Sequence, residues 1–209
     1  MGTERPIINI QGANVALGPL RRDLLLLYQR WANDFSAMQR ISSVVRPWTL
    51  EQEVEWFERQ SVSETSASFT IYERSSSQPI GTTELHDLDF RNRTAEFGIL
   101  IGEAAQRGKG YGSETAHLML DYGFTALGLH NIMLQVFAYN IPAIRAYEKA
   151  GFRECGRRRE VRAMAGKRWD LVLMDCLATE FTGSVLASVF APDQVKPSRR
   201  TNVDTSFGM

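Results

Sequence analysis

Arg107-Gly108-Lys109-Gly110-Tyr111-Gly112 is the stretch whose reading decides the fold. Residues 93–102 before it contain the apolar run 97–101, the composition of a strand inside a sheet. Residues 110–127 after it read as a helix. Ala116, Leu120, Phe124 and Leu127 mark its apolar face, and Ser113, His117, Asp121 and Thr125 recur every four positions as its polar face. Glycines at such a junction let consecutive backbone N–H groups approach an anion, where free donors and the helix dipole both favour negative charge. Gly128 suits the end of that helix, and residues 132–138 form another apolar strand. Strand, helix, strand in this order implies parallel pairing through a right-handed crossover.

Spacing excludes two familiar phosphate-binding designs. The dinucleotide fingerprint GxGxxG fails because the third glycine, Gly112, comes one place early and no acidic residue follows about twenty positions on. The nucleotide loop GxxxxGK followed by Ser or Thr fails because Lys109 stands between glycines.

Further along, Asn140 is placed to cap a helix with Pro142 in its first turn and Gly151 at its end. Residues 152–161 and 168–176 read as a closing antiparallel pair around Ala165-Gly166-Lys167. Upstream, residues 14–20 are a first strand. Residues 22–34 carry Leu24, Leu27, Tyr28 and Trp31 at helical spacing. After a connector over 41–48, Thr49 and Gln52 form a capping-box pattern for a helix to about residue 60. Val54 and Phe57 of that helix are expected inside, with Glu51, Glu53, Glu55 and Glu58 on its wet face. Residues 67–73 and 80–89 read as a hairpin around the serine run 75–77.

The 209 residues suit one domain able to bury its own core. Lys plus Arg and Asp plus Glu both total 24, so no net field points to nucleic acid or an acidic membrane. Cys155 and Cys176 lack the spacing of a zinc or redox pair, and His86, His117 and His130 form no ligand pattern, so no metal is expected. No leader or membrane span is apparent, and a cytoplasmic location is expected. The regular pattern fades after residue 181. The tail 182–209 carries Pro192, Pro197 and Arg199-Arg200, with Val185, Leu186, Val189 and Phe190 able to form one apolar helical turn over a neighbouring subunit. The expected organisation is a domain over 1–181 and a tail over 182–209.

Two separate motifs carry a family resemblance. Arg107-x-x-Gly110-x-Gly112 resembles the Arg/Gln-x-x-Gly-x-Gly/Ala signature of the GNAT superfamily, and the run Asn140, Ala143, Tyr147, Lys149, Gly151, Phe152 is similar to that superfamily's later helix. The likeness covers about residues 14–178 and is greatest to the branch of ribosomal-protein alanine and spermidine N-acetyltransferases. It implies an α/β fold (α+β in some schemes): a mixed, mostly antiparallel sheet of six or seven strands with a central splayed parallel pair and about four helices. It also implies an N-acetyltransferase that uses acetyl-CoA as cosubstrate, and a homodimer.

Residue by residue, the resemblance implies coenzyme contacts at Ile99, Leu100 and Ile101 of the splayed strand, at Arg107, Gly108, Lys109, Gly110, Tyr111 and Gly112 of the turn, and at Asn140, Ala143, Tyr147 and Lys149. Acetyl transfer requires a neutral amine, a polarised thioester and a proton for the leaving thiolate. Tyr147 is the candidate acid and Glu96 the candidate base, with Glu84 and His86 as candidate amine contacts. The acceptor is read as a protein N-terminus or a small primary amine. Spermidine, other polyamines and aminoglycosides stand as alternatives, because Arg40 and Arg46 occupy a loop where polyamine enzymes carry acids. A non-catalytic acyl-CoA sensor is the alternative of another class.

Overall fold

The computed structural model describes residues 5–42, 44–183 and 185–191. Its strands are β1 (Ile10–Gln11), β2 (Val15–Pro19), β3 (Ala67–Glu73), β4 (Pro79–Asp89), β5 (Thr94–Ile101), β6 (Asn131–Phe137), β7 (Arg153–Met164) and β8 (Lys167–Leu177). Its α-helices are α1 (Leu25–Ala32), α2 (Phe35–Met38), α3 (Leu50–Ser61), α4 (Tyr111–Asp121) and α5 (Ile141–Ala150). The strands make one sheet in the order β1-β2-β3-β4-β5-β6-β8-β7. Every pairing is antiparallel except β5 with β6.

The sheet has one strand more than the six or seven expected, because β1 is a two-residue extension whose periodicity is too short to read. The extra helix α2 is a single four-residue turn, capped by Asp34 through Ser36 N and Ala37 N. At α3 the capping box forms as its pattern predicts: Thr49 accepts from Gln52 N, and the Gln52 side chain accepts from Thr49 N.

Alternation along the strands divides the two faces. Ala95, Phe97, Ile99 and Ile101 of β5 join the main core with Ala116, Leu118, Met119 and Leu120 of α4. Leu100 packs on the other side, against the cluster of Leu25, Tyr28, Trp31 and Phe57 from α1 and α3. Gly102 is required at the end of β5, since an added Cβ would lie 2.2 Å from the Trp31 ring.

The polar repeat on α4 is in part covered by protein. Ser113 and Asp121 are only 8% and 0% exposed, because α5 and the segment after β8 cover that side. Asp121 Oδ2 accepts from Val185 N and Leu186 N, and its Oδ1 accepts from Thr125 Oγ1 at 2.8 Å. Leu186 is buried in this chain's own core rather than left for a neighbour, whereas Val185, Val189 and Phe190 are exposed. Residues 192–209 of the expected tail, with Pro192, Pro197 and Arg199-Arg200, lie outside the described residues. No helix among the described residues is long and apolar enough to cross a membrane.

Candidate active site

The feature that makes the site is the parting of the two parallel strands. β5 and β6 pair only at Thr94 with Asn131, Ala95 with Ile132 and Glu96 with Met133. Beyond Glu96 they diverge, β5 continuing against β4 and β6 against β8. The stretch 97–100 of β5 thereby borders a gap, where an extended ligand can pair with backbone groups that have no partner on β6. A cavity of about 1050 Å³ occupies the gap and reaches to α1 and α3.

The gap lets the two faces of the sheet contribute to one cavity. Tyr147, from α5 on the core side, stacks edge-on with Phe97 at 6.0 Å and Phe152 at 6.1 Å between ring centroids. Burial pushes its phenol up to about 12, so it keeps its proton at neutral pH. From the opposite face come Glu84, His86 and Glu96, all lining the cavity. Glu84 lies across from Gly98 and His86 across from Glu96 in the β4–β5 register. A Cβ on Gly98 would lie 3.3 Å from Glu84 Cγ, so the glycine makes room for this acid. Burial raises the Glu84 carboxyl above its usual range, and Ser68 Oγ donates to it at 3.4 Å. Glu96 Oε2 accepts from Gln135 Nε2 across the gap at 3.2 Å.

His86 Nδ1 lies 2.9 Å from Asp87 Oδ2, and ligand-type atoms of His86, Asp87 and Glu96 lie within 4.8 Å of one another. The histidine count in the sequence could not reveal this grouping, because Glu96 comes from the next strand. The His86–Asp87 hydrogen bond accounts for two of its members, and nothing else among the described residues points to an ion there.

The glycine turn is built as its position predicts. Gly108 and Gly110 have φ of +78° and +88°, and Gly110 is the N-cap of α4. An added Cβ at either would meet nothing within 4 Å, so the turn's surface is open to a ligand. The Arg107 side chain turns inward instead: Nε donates to Ile101 O at 2.9 Å, and Nη2 to Gly102 O and Asp34 Oδ2, both at 2.8 Å. Lys109 Nζ donates to Gln106 Oε1 at 2.7 Å, and Tyr111 OH to Glu73 Oε1 at 2.7 Å. The backbone of Gly108, Lys109, Gly110 and Gly112 is therefore the part of the turn offered outward.

Other expected residues are spread over the site and its surroundings. Ile99, Leu100 and Asn140 line the cavity, while Ile101 and Ala143 pack on the core. Asn140 Nδ2 donates to Arg40 O at 3.4 Å and Tyr139 OH to Gln39 O, which binds the loop after α2 to the start of α5. Lys149 is exposed on α5 and does not line the cavity.

Glu53 requires a correction. It is 4% exposed and faces the cavity rather than the wet side of α3, with Trp48 Nε1 donating to its Oε2 at 2.8 Å. Burial pushes its carboxyl up to about 7. Its spacing of four from the buried Phe57 is the signal that places it on the inner face. Tyr28, Trp31, Trp48, Trp56 and Ser68 line the same cavity, so Trp48 forms wall and Trp56 both wall and packing.

Comparison with known proteins agrees with this geometry. Residues 14–153 match the model of the acetyltransferase (GNAT) domain. The chain is 31% identical over 135 residues to spermidine N(1)-acetyltransferase of Vibrio cholerae serotype O1, covering 65% of this chain and 78% of that one. It is 30% identical over 138 residues to human alpha/beta-tubulin-N-acetyltransferase 9, covering 61% and 66%. The crystal structure of spermidine N-acetyltransferase from Vibrio cholerae in complex with CoA and spermine superposes with a TM-score of 0.74 at 27% identity, covering 81% of this chain and 99% of that one. The eight-stranded mixed sheet with its splayed parallel pair, the glycine turn at the head of α4 and the matched domain together show that this chain belongs to the GNAT family of N-acetyltransferases, whose cosubstrate is acetyl-CoA.

Proposed function

We propose that the protein transfers the acetyl group of acetyl-CoA to a primary amine by direct attack in a ternary complex. The observation that carries this reading is the single cavity at the β5–β6 parting, lined by Tyr147 from one face of the sheet and by Glu84 and Glu96 from the other. The diphosphate sits on the backbone of Gly108, Lys109, Gly110 and Gly112, and the pantetheine arm pairs with β5 along Ile99 and Leu100. Asn140, Ala143, Tyr111 and Lys149 flank this path. Arg107 shapes the turn from behind.

Glu96 takes the proton of the bound ammonium, directly or through water, and the freed nitrogen attacks the thioester carbon. A backbone N–H of the parted β5 stabilises the oxyanion. The C–S bond then breaks, the sulfur receives the Tyr147 proton, and the second proton shed by the nitrogen returns to the Tyr147 oxygen through water, leaving a neutral amide and CoA thiol. Glu84 and Glu53 favour a cation in the cavity, because bringing in an ammonium relieves the cost of their own burial. His86 borders the amine. A protein N-terminus or a small amine meets these requirements. A polyamine is the second reading, favoured by the inward Glu53 and by the relatives' names.

We take residues 1–181 as the catalytic domain with 182–209 as a tail, and place the enzyme in the cytoplasm as a homodimer. The two cysteines are free, and Val189 and Phe190 offer exposed apolar surface for a partner. The test of function is acceptor-dependent release of CoA thiol over a panel of amines and peptides. Tight acetyl-CoA binding with no such release would replace the transferase reading by that of a sensor.

A further inference from the structure

The cavity wall carries both signs of charge. Besides Glu53, Glu84 and Glu96, it is lined by Arg40, Arg46 and Arg158. Among the described residues none of these three guanidinium groups lies within ion-pair distance of a carboxylate, whereas Arg107, Arg153 and Arg157 are each paired. They reach the cavity from separate places. Arg40 follows α2, its carbonyl held by Asn140. Arg46 lies 5.8 Å over the Trp48 ring, the same residue that donates to Glu53. Arg158 stands on β7 opposite Leu171, itself a lining residue. No residue of the turn 107–112 lines this cavity, so the three arginines stand apart from the diphosphate cradle.

One free surface arginine is ordinary; three lining the same cavity as Glu53, Glu84 and Glu96 make a two-signed binding surface. Resting on the reading of the chain as an amine acetyltransferase, we infer that its acceptor is a small primary amine that also bears an anionic group of the carboxylate class. The ammonium end faces Glu84 and Glu96, and the anion faces Arg40, Arg46 and Arg158. A linear polyamine would instead bring its second ammonium against the arginines, a like-charge contact that selects against it.

Acceptor-dependent thiol release at pH 7 tests this with three amines of equal length. These are 4-aminobutyrate, butylamine and butane-1,4-diamine, whose tails are anionic, neutral and cationic. The pair L-methionine and L-methioninamide repeats the comparison for an α-amine. The anionic member of each set is expected to exceed its partners in kcat/KM by about tenfold, as two or three exposed ion pairs allow. The double variant Arg46→Gln, Arg158→Gln should erase that preference by raising KM for the anionic acceptor, with KM for butylamine moving by less than about twofold. Equal or faster turnover of the diamine, or a preference unchanged in the double variant, overturns the anion inference alone. No thiol release in any arm overturns the transferase reading and the inference with it.

Discussion

Asp34 Oδ2 and Arg107 Nη2 lie 2.8 Å apart, and this pair ties the segment between α1 and α2 to the turn before α4. The same guanidinium holds the carbonyls of Ile101 and Gly102, so one side chain fixes the end of the parted strand and the entry to the turn. Asp34 also caps α2. Removing its charge therefore loosens the wall of the site and the cradle together.

Two variants separate these roles. Asp34→Ala loses cap and partner, and should cost about 1 kcal/mol in chemical denaturation for the cap alone. Asp34→Asn keeps a capping oxygen and should lose less. Both should raise KM for acetyl-CoA, because Arg107 no longer has its anchor. Hydrogen bonds from Ser36 and Arg107 hold the Asp34 carboxyl down at about 2. Its stabilising effect is thus present at every pH above the unfolded value of about 3.9 and is lost as pH falls from there through 2. The stability gap between the native chain and Asp34→Asn should shrink over that acid range.

Glu53 has the opposite sign. Its folded value near 7 exceeds the unfolded value of about 4.3, so the folded state holds a proton that the unfolded state has released. This residue lowers stability progressively as pH rises from about 4 to 7. Glu53→Gln keeps an acceptor for Trp48 Nε1 and should be more stable than the native chain at pH 8, with no such gain at pH 4. The same change should raise KM for the amine while leaving that for acetyl-CoA alone. Melting temperatures at the two pH values and steady-state kinetics check both statements.

Tyr147→Phe removes one oxygen from a ring already packed between Phe97 and Phe152. Its fold should be retained, while kcat falls by about 10²–10⁴ with KM little changed, the signature of a lost proton donor. Since burial holds the native phenol at about 12, activity should show no falling limb from this residue up to about pH 10. A kcat equal to the native value in a folded variant would remove Tyr147 from the chemistry.

Gly110→Ala probes the turn. The φ of +88° at the α4 N-cap is the conformation that a side chain disfavours by about 1 kcal/mol, although an added Cβ would touch nothing within 4 Å. The effect should therefore appear as a raised dissociation constant for CoA in calorimetry, with a small change in melting temperature and none in KM for the amine.

Much of this architecture is legible in the sequence because its signals are local. The glycines of the turn, the capping box at Thr49 and the stop at Gly151 each encode a backbone geometry within a few residues. Signals that depend on distant chain are not legible in this way. The polar repeat Ser113, His117, Asp121 reads only as a polar face, yet residues 185 and 186 bond to Asp121 and His117 packs 4.8 Å from Phe181. Glu53 reads as surface because acids flank it on α3; its spacing of four from Phe57 points inward, and the facing Trp48 ring and the cavity decide between the two. The inward Arg107 is hidden likewise, since Asp34 lies outside any local pattern.

A crystal structure with CoA and an unreactive amine bound would locate donor and acceptor in one site. Pantetheine should lie along Ile99 and Leu100 in the parting of β5 and β6, with the diphosphate on the amides of residues 108–112, the sulfur within hydrogen-bond reach of Tyr147 OH, and the amine beside Glu84 and Glu96. CoA bound away from that gap, or a sulfur on the far side of the sheet from Tyr147, would contradict this mechanism.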